Sequence, residues 1–104
     1  MTDIHAHRDG LAARAQENLQ DLIDTLQRKL QSIEGLIAGR SEEGQLRLQA
    51  KARGIEAGLK LAKTAISPTT AAMEMAELLP LMPADEQAGL EIALQDARLL
   101  ARLP

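Results

Sequence analysis

Residues 19–66 read LQDLIDTLQRKLQSIEGLIAGRSEEGQLRLQAKARGIEAGLKLAKTAI. In the first half, Leu19, Ile23, Leu26, Leu30, Ile33 and Ile37 follow one another at spacings of 4, 3, 4, 3 and 4. That rhythm lays one apolar row along a helix and turns it toward a partner helix. In the second half, Leu48, Ala52, Ile55, Leu59, Ala62 and Ile66 repeat it. Between the rows lie Gly39, expected as the left-handed residue that ends a helix, and Ser41, an N-cap followed by Glu42 and Glu43 at the positive end of a new helix dipole. A connection this short makes the two helices antiparallel neighbours. The first is expected over Leu11–Ala38 and the second over Glu42–Ile66, rods of about 42 and 37 Å at the helical rise. The reading is an all-α fold: a long antiparallel coiled-coil helical hairpin over residues 11–66, preceded by residues 1–10 as a tail or helix extension.

Ala15, Leu22 and Leu36 widen the first stripe on one flank, while Glu17, Asp21, Asp24, Arg28 and Gln31 mark its solvated side. Beyond the hairpin, Ser67-Pro68 breaks the helix, because proline disfavours an α conformation in the residue before it and fits the first turn of the next helix. Thr69 or Thr70 is expected to cap a short helix through Leu79. The apolar connector Leu78-Leu79-Pro80-Leu81-Met82-Pro83 is expected to pack on a helix or a partner. Asp85, Glu86 and Gln87 open a last helix to about Arg102. That helix carries Leu90, Leu94, Ala97 and Ala101 on one side, and Ala88, Ile92, Leu99 and Leu103 nearly opposite. Residues 67–104 thus form a C-terminal tail of two shorter helices.

The second helix has a further face. Leu46, Ala50, Gly54, Ala57, Gly58, Leu61 and Ala65 fall within one arc of about 120° nearly opposite its seam. An exposed face of good helix formers would account for the alanines. It would not account for Gly54 and Gly58, each about 1 kcal/mol worse than Ala inside a helix. They point to another helix approaching closely. A hairpin covers one face per helix, and a short tail would hardly cover 40 Å of rod. Since large exposed apolar patches are uncommon on soluble monomers, the arc is expected to be a homo-oligomer interface.

Composition agrees with the helical reading and narrows the chemistry. The 104 residues include 18 Leu and 18 Ala, with no Val, Phe, Tyr, Trp or Cys. Seven Ile and five Thr are too few strand formers for a sheet protein. Without cysteine there are no disulfides, thiolate zinc sites or cysteine catalysis, which suits a reducing compartment. No apolar run approaches a membrane span and the start is no signal peptide, so a cytoplasmic protein is expected. His5 and His7, beside Asp3 and Asp9, form a weak metal-binding pattern that reads more simply as a solvated segment. No nucleophile–base set and no phosphate-cradling loop is present, so an enzyme, a metal site or a cofactor is not expected.

Charge is uneven. Residues 1–39 carry a net −2, residues 40–66 a net +3 and residues 67–104 a net −4. Arg40, Arg47 and Lys51 line one flank of the second helix, and Arg53, Lys60 and Lys63 the other. These cations could touch phosphate, which needs no aromatic residue, or pair with carboxylates of neighbouring helices. There is no stacking platform for single strands.

A hairpin of this kind, with a proline-broken tail and multi-faced helices, resembles the small terminase subunits of phages and phage-like gene transfer agents. The resemblance covers Leu11–Ile66 as architecture and residues 67–104 by position. It implies a ring-forming adaptor that works with a large terminase in packaging DNA. The helix-turn-helix common in that family is missing here, which leaves only weak, non-specific contact with double-stranded DNA through the basic flanks. A cytoplasmic export chaperone of the flagellar or type III kind is the alternative. Such a protein would hold its client through an apolar C-terminal helix, here Leu99, Leu100 and Leu103. Small secreted helical-hairpin effectors are a third comparison, but their Trp-X-Gly turn is replaced by Gly39-Arg40-Ser41.

Overall fold

A computed structural model describes residues 2–103, with side chains over residues 13–103. The described chain is helical: α1 Thr2–Ile37, α2 Glu42–Thr64, α3 Pro68–Leu78 and α4 Ala84–Ala101, with a 3-10 turn Leu79–Leu81 joining the last two. Residues 2–10 are thus an extension of α1. The side chains of His5 and His7 lie outside the described residues. The packing of α1 and α2 is compatible with a hairpin, and the molecule is long, 62 × 26 × 19 Å.

The stops and starts follow local chemistry, with three departures from expectation. Ser41 caps α2 as expected, its hydroxyl accepting from the Gly44 N–H at 3.3 Å. Gly39, however, does not take a positive φ. The first helix closes instead through an Arg40 N–H donating to the Ile37 carbonyl at 3.2 Å, so the turn uses ordinary right-handed backbone. The second departure is at Ile66. Helix α2 stops at Thr64, Ala65 is extended, and Ile66 lies outside the helix with 80 % of its surface exposed. The cause is Pro68, which pushes Ser67 into an extended conformation (φ −160°, ψ 162°), so the chain has already left the helix when Ile66 is reached. The third departure is the cap of α3. It is Ser67 itself, accepting from the Thr70 N–H at 3.1 Å, with Pro68 in the first turn where its missing N–H costs nothing.

The core draws on all four helices: Leu22 and Leu26 from α1, Ile55, Leu59 and Ala62 from α2, Ala71 and Met75 from α3, and Leu90, Ala93, Leu94 and Ala97 from α4. Residues 67–103 therefore complete the core and are not an appended tail. This explains why Leu22, expected on the flank of the seam, is fully buried while Leu19, Ile23, Leu30 and Ile33 are only partly so. A third helix over α1 and α2 widens the buried arc beyond a two-helix seam. The connector behaves as a split element. Leu78, Leu79 and Met82 pack on the core, whereas Leu81 points into solvent. On α4 the Leu90 side is buried, but the reverse side is not covered as expected. Ile92 is half-buried, Ala88 is exposed, and Leu99 and Leu103 are 61 % and 52 % exposed.

Candidate interaction surfaces

The small-residue arc of α2 is the first candidate to place. Helix α4 of the same chain lies on it, closely enough to bring backbone against backbone. A Cβ added to Gly54 would fall on the Glu86 carbonyl oxygen and 2.6 Å from the Leu90 nitrogen. One added to Gly89 would fall on the Lys51 carbonyl oxygen and 2.9 Å from the Gly54 Cα. One added to Gly58 would meet the Ala93 methyl. Ala50, Gly54 and Gly58 are buried in this contact, while Ala57, Leu61 and Ala65 are half-buried and Leu46 is exposed. The glycines do mark a close helix approach, but the approaching helix is α4 of the same chain. This corrects the assignment of Ala50, Gly54 and Gly58 to a homo-oligomer interface: all three are buried within the chain, Gly54 against the backbone of α4 and Gly58 against the Ala93 methyl. The estimate that went wrong was how much of the rod the short C-terminal segment covers.

The six cations of residues 40–66 divide. Arg47 Nη2 meets Glu43 Oε1 at 2.9 Å one turn back, with both groups well solvated, an arrangement worth little energetically. Arg53 reaches across to α4, its Nε 3.6 Å from Glu86 Oε2 and its Nη2 4.0 Å from Asp85 Oδ2. Lys51 is half-buried, and Lys60, Lys63 and, in the turn before α2, Arg40 are exposed. Among the described residues none of these three lysines has a carboxylate oxygen within 4.0 Å. Pairing therefore occupies Arg47 and Arg53, and Lys60 with Lys63 are the cations of α2 left facing water.

At the C-terminal end, Leu99 and Leu103 are exposed and Leu100 packs partly on the core. Gln95, Arg98, Leu99 and Arg102 together line a shallow basic and apolar patch on α4. Another feature went unread in the sequence. An open cleft of about 380 Å³ runs between α1, α2 and α4, with Ile33, Leu36, Ile55 and Ile92 as its apolar lining and Lys29, Lys51 and Asp96 at its polar rim. Lys29 Nζ is paired with Asp96 Oδ2 at 2.6 Å, with Asp96 mostly shielded. A signal for that pair was available: residues 64–97 contain six acidic residues and no Lys or Arg, so a shielded carboxylate there, such as Asp96, finds its cation on another part of the chain.

Among the described residues no polar or charged side chain is buried, and no group of three His, Cys, Asp or Glu side chains could hold a metal ion. No described helix is long and apolar enough to cross a membrane. What the arrangement offers is a set of surfaces: an apolar cleft with a cationic rim, a pair of solvated lysines and an apolar C-terminal ridge. Compared with protein-family profiles, curated proteins and solved structures, the chain matches none.

Proposed function

We propose that this chain is a non-enzymatic, cytoplasmic, helical homo-oligomer resembling a small terminase subunit, an adaptor that works with a large terminase in DNA packaging. In this reading α1 and α2 form an antiparallel coiled-coil hairpin, and copies of the hairpin stand side by side. One observation carries the proposal. After all four helices have packed, Leu36, Leu46, Ile66, Met73, Leu81, Leu99 and Leu103 remain between 50 % and 80 % exposed. Such side chains favour burial against further protein where they adjoin other apolar surface, as Leu36 does beside Ile33, Ile55 and Ile92 in the open cleft. The long axis of 62 Å supports lateral assembly, since it offers a lengthy flank to a neighbour.

The test is molar mass in solution across a concentration series. A particle of many chains supports the adaptor reading, and a mass of 11.2 kDa at every concentration overturns it. A second reading, an export chaperone of the flagellar or type III kind, is favoured specifically by the exposure of Leu99 on α4 and Leu103 just beyond it. It expects a monomer or dimer, and loss of client binding when both leucines are changed to Ser.

A further inference from the structure

We propose that the cleft between α1, α2 and α4 receives the outer face of α3 from a second copy of the chain. This rests on the homo-oligomer reading above and supplies it with a contact. The cleft is an apolar trough with a net positive rim. Asp96 is neutralised by Lys29, whereas Lys51, half-buried at the edge, has no carboxylate within 4.0 Å among the described residues. Leu36 stands in it half exposed. Such a trough takes an apolar helix that brings acid and no base.

Helix α3 answers that description. It turns Pro68, Ala71 and Met75 to the core. Its opposite side, by helical geometry, presents Thr69, Met73, Ala76 and Glu77, all exposed. Glu74 sits at the edge of this ridge, and the helix has no Lys or Arg. Neither Glu74 nor Glu77 has a cation within 4.0 Å among the described residues. Apolar contact with charge of opposite sign at its margin gives register as well as attraction.

Within one molecule the ridge faces away from the core that α3 packs on, and no residue of α3 lines the cleft. The start of α3 lies with Arg14, Ala15 and Asn18 of α1, while the cleft lies at Lys29 to Leu36 of the same helix. Fifteen residues from Asn18 to Ile33 are about 22 Å of helix. A ridge and a cleft on different parts of one surface make a head-to-tail contact, and such a contact propagates into a ring or an open filament. Assembly through this pair leaves the α2–α4 glycine contact untouched.

The test reverses charge on each side and then on both. Glu77→Lys on the ridge and Lys51→Glu at the cleft should each raise the concentration for half-assembly at least about tenfold, a modest loss for an interfacial charge. The double variant, in which the pair is restored with opposite sign, should recover most of the assembly. Single variants that assemble like the parent overturn the contact, as does a double variant no better than the singles. Either result leaves the homo-oligomer reading standing. A parent chain that stays at 11.2 kDa removes that reading and the contact with it. If Lys51→Glu does not fold, Leu36→Ser and Met73→Ser serve in its place, since both positions are at least half exposed. Each should weaken assembly with unchanged helicity, and no weakening overturns the contact.

Discussion

Four glycines separate what a residue is from what its position demands. Gly39 sits in the turn after α1 with ordinary backbone and nothing within 4 Å of where a Cβ would go. Gly39→Ala should leave stability within about 0.5 kcal/mol, as surface changes usually do. Gly54 and Gly89, by contrast, lie inside helices, so alanine there gains up to about 1 kcal/mol of intrinsic propensity. Against that gain stands a methyl driven into a carbonyl oxygen of the facing helix, which no rotamer can relieve. Gly54→Ala and Gly89→Ala should each be net destabilising, by about 2 kcal/mol, within the usual range for overpacking. Urea unfolding decides it, and a midpoint equal to or above the parent's would mean that α4 does not dock where described. Gly58→Ala differs because its obstacle is the Ala93 side chain, so adding Ala93→Gly should return part of the loss. Half of this contact was legible in the sequence: Gly54 and Gly58, four apart in a helix, asked for a close neighbour. Gly89 and Ala93, also four apart, were the matching answer, overshadowed by the leucine pattern of α4. Periodicity identifies a face, but it does not say which helix will cover it.

Element by element, the local signals were the most legible. Ser41 and Ser67-Pro68 determine where helices begin through single hydrogen bonds and one dihedral constraint, and such effects need no knowledge of the rest of the fold. The distribution of burial along α1 needed that knowledge. A seam read as heptads implies similar burial from Leu19 to Ile37, yet full burial is confined to Leu22 and Leu26, where α1 shares a core with α2, α3 and α4. Leu36, near the end of the helix, borders the open cleft. Leu26→Ala should therefore cost about 2–5 kcal/mol as a core truncation, and Ile37→Ala, at a half-buried position of the same row, only about 1 kcal/mol. Chemical denaturation of the two variants at a concentration where the chain is monomeric separates a graded core from a uniform zipper. Equal losses at the two sites would restore the heptad picture. Ile66 teaches the same lesson from the other end. It completes the 4-3 spacing on paper, but a proline two residues on takes the chain out of the helix before the register can use it.

For the whole molecule the governing feature is charge segregation. Residues 40–66 carry +3, and residues 64–97 hold no cation at all. Folding consumes part of that contrast, tying Arg53 to Asp85 and Glu86 and Lys29 to Asp96. Lys60 and Lys63 are left exposed on α2 with no partner within 4.0 Å among the described residues. Contact through these two lysines alone releases few counterions, so one copy should bind duplex DNA very weakly, with a log–log salt slope of only about −2. An assembly repeats the same lysines around one particle and raises avidity without any new contact. On the proposed adaptor reading, binding should thus be non-specific, appear only when the chain has assembled, and carry a salt slope that grows with the number of copies engaged. Lys60→Glu with Lys63→Glu should abolish it uniformly across sequences. Arg53→Gln should change it little, because that guanidinium already faces two carboxylates, although it should loosen α4 from α2. Gel shifts at about 50 mM salt, where counterion release favours binding most, read all three. If Arg53→Gln weakens binding as much as the lysine pair, the DNA lies over α4 and the ion pairs open to receive it. If the assembled parent shifts nothing, the proposed adaptor role loses its DNA contact and would have to run through protein contacts alone.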